Sequence, residues 1–165
     1  METWLGNALL FTFGGLCLLA AVSDVRSFTI PNRLSLAIAA IYPAYALLHP
    51  EIDWLGALIV ATAVLAVGFG LFAFNILGGG DAKLIAAIML WAGTEYGLAF
   101  IVLTALFGGI QSIVFWLTHR IRAAGSLRMA LVPNLDEDFL KTSIPYGLAI
   151  AGGGLFVMLS RLKGS

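Results

Sequence analysis

The chain has 165 residues, 61% hydrophobic and 11% charged, with a mean hydropathy of +1.00. A soluble domain of this length needs far more polar surface, so the composition excludes one and calls for an integral membrane protein. Nine basic and nine acidic residues cancel to a formal charge of zero, which points to no nucleic-acid partner.

A helix needs about 20 apolar residues to cross a bilayer core of roughly 30 Å. Apolar runs at 4–22, 34–48, 54–77, 82–92, 98–118 and 144–160 predict an all-α bundle of about six transmembrane helices, forming one membrane domain over residues 1–165. The first run has no Lys or Arg before Arg26. It lacks the basic start of a cleavable signal and is expected to remain as a membrane helix. Cys17, the sole cysteine, lies inside it. One cysteine allows neither a disulfide framework nor a four-cysteine zinc site, and a packing role is expected. Pro31 suits the first turn of the second helix. Glycines at 68, 70, 108, 109 and 152–154 are expected to let helices approach closely.

The fourth run is short. Its length gives roughly 16 Å of helix, about half the hydrocarbon core. One account is a thinned bilayer. The other is a helix that starts below the membrane surface, with Gly78-Gly79-Gly80 dipping in as irregular backbone. Asp81 then sits at a helix N-terminus, where the dipole favours a negative charge.

Charge alternates between the connections. Those at 24–33, 78–83 and 119–143 carry Lys or Arg, whereas 49–53 and 93–97 carry only acids. The positive-inside rule places the first group in the cytoplasm and the N-terminus outside. Arg161 and Lys163 then fall outside, against the pattern. In the 119–143 connection, Arg120, Arg122 and Arg128 alternate with apolar residues. They predict a short interfacial helix over 120–132, attracted to anionic lipid and broken by Pro133. Asp136, Glu137 and Asp138 suit the acidic first turn of another short helix.

Two acids stand out against this hydrocarbon background. An unpaired carboxylate removed from water costs several kcal/mol, so Asp24 and Asp81 are functional candidates. The charge pattern puts both at the cytoplasmic boundary. Two neighbouring carboxylates do not both ionise easily and titrate as a unit. One takes a proton from water while the other protonates the carbonyl under attack. That chemistry requires no metal and no cofactor. Taken singly, Asp24 also suits a helix-end pair with Arg26, and Asp81 an N-cap. His49 and His119 are expected to serve structural or interfacial roles.

Gly78-x-Gly80-Asp81 resembles the motif of the GxGD membrane aspartic proteases. With Lys83, with Asp24-Val25-Arg26-Ser27-Phe28-Thr29-Ile30-Pro31-Asn32, and with Ile144-Pro145-Tyr146-Gly147, the chain is similar to the type IV prepilin peptidases. The resemblance implies a multi-pass enzyme of the bacterial inner membrane, with its active site facing the cytoplasm. It implies Asp24 and Asp81 as the catalytic pair, and removal of the short basic leader of a prepilin next to a glycine before the apolar helix. Larger members carry a four-cysteine segment and many methylate the new N-terminus. This chain shows neither a second cysteine nor such a segment, and it resembles the short form associated with Flp (Tad) pili. Pro145 and Gly147 are expected to shape the last helix near the acids. Lys83 points away from Asp81 on a helix and is expected to meet headgroups or a substrate carboxylate. Presenilin-like proteases pair GxGD with Tyr-Asp and Pro-Ala-Leu motifs that are missing here. Lipoprotein signal peptidase acts at the outer face. A small ion-coupled transporter or a pilus-assembly scaffold is the reading outside enzymes; transporters also bury acids beside broken helices.

Overall fold

The computed structural model describes residues 2–126 and 146–164. Five helices follow in order: α1 (Glu2–Ser27), α2 (Asn32–Leu48), α3 (Trp54–Ala73), α4 (Gly79–Ser126) and α5 (Gly147–Gly164). No strand occurs among the described residues. Trp4–Ser27, Trp54–Ala73 and Gly79–Thr118 are long and apolar enough to cross a membrane. Large apolar side chains such as Phe11, Ile59, Phe69 and Ile113 are exposed on the bundle. Hydrocarbon, rather than water, is the solvent that such a surface fits.

Six segments are expected from the sequence, and the described residues form five helices. The fourth and fifth segments run on as α4, interrupted only at Gly93, whose φ of 62° and ψ of −159° are non-helical. A Cβ placed on Gly97 would stand 2.9 Å from the Met89 sulfur. Eight residues of straight helix separate such positions by about 12 Å, so the chain doubles back at Gly93. Glycine tolerates that left-handed φ without a Cβ penalty. The arms of α4, 79–92 and 94–126, therefore lie side by side.

The expected interfacial helix over 120–132 is corrected for its first part. Residues 119–126 prolong α4, with Arg120 stacked 4.9 Å over Trp116, one turn earlier on the same helix. The rest of that segment, with Arg128 and the acids at 136–138, lies outside the described residues, as do Pro145 and the His119 side chain. The glycine run is also corrected. Gly79 and Gly80 form the first turn of α4, and the irregular backbone is at 74–78, where Asn75 takes a φ of 56°.

The core forms around Trp91 on the first arm of α4. Its indole stacks on Phe13 of α1 at 4.5 Å, meets Tyr42 and Tyr45 of α2, and donates to the Ile38 carbonyl at 2.8 Å. A buried indole N–H needs that partner. Small residues let the helices close around it. Gly68 packs on Ala82, Gly153 on Phe100, and Gly154 on Cys17, which is fully buried against α5. Gly70 and Gly109 face open space instead, so not every glycine in the chain serves close approach.

Candidate active site

Asp24 lies near the end of α1 and is 5% exposed. Its Oδ2 accepts a 2.6 Å hydrogen bond from the Gly147 N–H, the first residue of α5. That amide is one of the four at a helix start that have no partner within the helix, and the positive end of the dipole faces the carboxylate. A Cβ on Gly147 would stand 2.7 Å from both Cβ and Oδ2 of Asp24. Only glycine lets the α5 backbone come this close. The expected alternative, an Asp24–Arg26 pair, is not formed: Arg26 is exposed and Asp24 faces α5.

Asp81 is half-buried in the first turn of α4. Its carboxylate takes a hydrogen bond from the Gly78 backbone N–H and lies within electrostatic reach of Asp24. An acid three residues into a helix that reaches back to the capping amide is one half of a capping box. A Cβ on Gly78 would come within 2.7 Å of the Asp81 Oδ2. Asp81 thus holds its own helix start, and Gly78 leaves the room for it.

The chain between α1 and α2 connects the two acids. Phe28 donates its N–H to the Asp24 carbonyl at 2.8 Å and takes a φ of 50°. Left-handed backbone is uncommon for a bulky residue and places strain of about 1–3 kcal/mol beside the acid. The turn brings buried Ile30 against α4: a Cβ on Gly80 would lie 3.2 Å from the Ile30 Cβ and 3.4 Å from its carbonyl oxygen. Pro31, extended at φ −61°, caps α2, so that helix starts at Asn32, one residue after the expected position. Lys83 donates to the Asn32 Oδ1 at 2.9 Å. This bond to α2 is the contact the structure gives Lys83. Tyr146 is half-exposed, lies against Gly108, and shares a 3.2 Å hydrogen bond with Ser112.

Three stretches distant in sequence, 24–32, 78–83 and 146–147, therefore meet at one end of the bundle. The opposite end holds a cleft of about 340 Å³ lined by Tyr45, His49, Asp53, Glu95 and Arg161. Sequence reasoning did not assign Arg161 a role there. Its guanidinium donates to the Trp91 and Ala92 carbonyls at 3.2 and 3.5 Å, lies 3.5 Å from Glu95, and sits 5.1 Å over the Tyr96 ring. Those carbonyls end the first arm of α4, where Gly93 removes their helical partners. The basic residue that breaks the expected charge pattern is thus committed to the protein rather than free at a membrane surface. His49 bonds the Tyr45 carbonyl of its own helix at 3.0 Å.

Residues 11–113 match the type IV leader peptidase family. The match holds both acids and Gly78 to Lys83 but stops short of α5. Neither a curated protein nor a solved structure matches the chain.

Proposed function

The chain belongs to the type IV leader peptidase family, and from that premise we propose that Asp24 and Asp81 form the two-carboxylate centre of an aspartic endopeptidase that cuts prepilins. The observation that carries this reading is the convergence at one end of the bundle. Asp24 bonds Gly147, Ile30 lies on Gly80, and Asn32 bonds Lys83. One carboxylate takes a proton from the attacking water, and the other gives a proton to the scissile carbonyl. The remaining residues position these two: Gly78 and Gly147 supply amides, Gly80 gives room, and Pro31, Asn32 and Lys83 fix the connection that crosses between them.

The α4 chain doubles back at Gly93, and we read its arms as two crossings, six in all with the N-terminus outside. The acids then face the cytoplasm of a bacterial inner membrane, where a basic leader resides. Flp-type precursors are the substrates we infer from the resemblance of the three motifs.

Co-expression with a Flp-type prepilin tests the reading by a mobility shift on a gel. Loss of the leader with the intact protein, and its retention with Asp81→Asn, is the expected result. An unprocessed cognate precursor in the presence of folded protein would overturn it and favour a transporter or scaffold.

A further inference from the structure

Asp24 is held by a single backbone amide whose own direction is not self-fixing. Gly147 gives the carboxylate room where a Cβ would stand 2.7 Å away, but glycine has the greatest backbone freedom of any residue. The amide also belongs to the first residue of α5, and helix ends fray. Something outside the helix start has to aim it.

The residue before it is anchored from another element. Tyr146 is the N-cap of α5, and its carbonyl accepts the first bond of that helix from the Ile150 N–H at 3.1 Å. A tyrosine has no side-chain oxygen within reach of the next amides, so it does not close the helix start as Ser or Asp would. Its phenol instead reaches Ser112, on the second arm of α4, at 3.2 Å. The direction of that bond follows from a proton count. Ser112 Oγ donates to the Gly108 carbonyl, one turn earlier, at 2.7 Å. A serine hydroxyl has one proton and two lone pairs, so toward Tyr146 it is the acceptor and the phenol O–H is the donor.

The ring of Tyr146 rests on Gly108, where a Cβ would stand 3.4 Å from its Cδ1. Gly108 and Ser112 are four residues apart on one helix face, and together they seat the ring and its hydroxyl. The seat ends a longer seam. Phe100 and Thr104 lie against Gly153, and Gly108 also approaches Ala149, so α4 follows α5 at four-residue spacing as far as its start. The Tyr146–Gly147 peptide unit is thus gripped twice, its phenol by α4 and its N–H by Asp24 of α1.

We propose that Ser112 is a positioning residue of the active site: by seating the Tyr146 phenol it aims the Gly147 N–H at Asp24 and so fixes that carboxylate beside Asp81. Ser112 acts through Tyr146 and Gly147 rather than on either acid. This rests on the leader-peptidase reading, and it assigns the second arm of α4 a part in the chemistry.

Ser112→Ala removes the acceptor and Tyr146→Phe the donor, and both keep the apolar packing. In cleavage of a Flp-type prepilin by purified protein in detergent, each should lower kcat by about 10-fold with KM unchanged, and the double variant should fall no further. Ser112→Thr keeps the hydroxyl and should recover most of the loss. Hydrogen exchange of glycine amides gives a readout that needs no substrate. Exchange at Gly147 should be about 10-fold faster in Ser112→Ala, while Gly153, in the middle of α5, stays unchanged. Unchanged kcat in Ser112→Ala, a change in KM alone, additive losses in the double variant, or equal loss in Ser112→Thr would overturn the proposal. So would a Gly147 amide that exchanges as before, or one that speeds up together with Gly153, which would make Ser112 a structural contact of the whole helix. Failure of the unsubstituted protein to cleave would reject the peptidase reading instead, and exchange at Gly147 would still decide what Ser112 holds.

Discussion

The two ends of this bundle solve opposite electrostatic problems with the same element. At one end α5 begins, and its first amide holds the carboxylate of Asp24. At the other end α5 finishes, and Arg161 in its last turn holds the carbonyls that α4 leaves open at Gly93. Asp24 faces the start of α5, Asp81 lies in the first turn of α4, and the cation lies at a helix end, each as the dipole favours. The difference is in how completely each charge is occupied. Arg161 has two carbonyls, a carboxylate and an aromatic face. The acids have backbone amides and each other's field, in a setting kept tight by glycines and by the strained turn at Phe28. Arg161 is taken up by structural partners, whereas the acids are the charges we propose for the chemistry.

The contrast breaks most decisively if the acids are dispensable. Asp24→Asn and Asp81→Asn should each lower leader removal by about 10³-fold or more, the scale of lost acid–base catalysis. Protein levels in the membrane should remain normal, because the amide retains an oxygen for the Gly147 or Gly78 N–H. Leader cleavage alongside an immunoblot of membranes checks this, and full activity in either variant would reject the pair.

Glycine substitutions sharpen the comparison within the acidic end. Gly147→Ala puts a methyl 2.7 Å from Asp24, and should cut activity by about 100-fold, with a stability cost of about 1–3 kcal/mol for overpacking. Gly80→Ala meets Ile30 at 3.2 Å and should cost about 10-fold. Gly15→Ala and Gly70→Ala meet nothing and should be neutral or stabilising by up to about 1 kcal/mol. A cleavage time course at fixed protein concentration ranks the four.

At the other end the expected effect is on stability alone. Arg161→Met leaves the Trp91 and Ala92 carbonyls short of a donor and should lower stability by about 2 kcal/mol. Glu95 is well exposed, so Glu95→Gln should cost under about 1 kcal/mol. Thermal unfolding in detergent measures both, and the folded variants should still cleave. The smallest effect is expected at Lys83. Lys83→Ala and Asn32→Ala remove the same exposed hydrogen bond, so each should slow cleavage by about two- to fivefold and the double variant no further. Full loss with Lys83→Ala would mean that the lysine acts on the substrate directly.

The acidic end was largely legible in the sequence because its parts are short motifs with chemical character: two acids in hydrocarbon, glycines before one, and Ile-Pro-Asn after the other. The helices were legible because apolar runs are the strongest signal a membrane protein carries. Two features were not. Residues 93–97 read as a connection, but one glycine suffices for the reversal, and hydropathy does not register a single torsion angle. Arg161 read as a stray positive charge at the wrong face, because its partners are backbone carbonyls 70 and 69 residues away, and carbonyls leave no mark in a sequence. Gly70 and Gly109 show the reverse error. Composition makes them look like packing glycines, and only the helix rotation decides otherwise.

Because α5 is pinned at Gly147 and again at Arg161, it works as a ruler. A rigid helix fixes the spacing of its two ends at about 1.5 Å per residue, and each added or deleted residue turns one end by about 100° against the other. No single insertion or deletion between the pins keeps both in register. Outward positions such as Leu148 and Leu159 are free to drift, but the residue count is not, and that count ties the placement of an acid at one end of the bundle to the closure of a broken helix at the other.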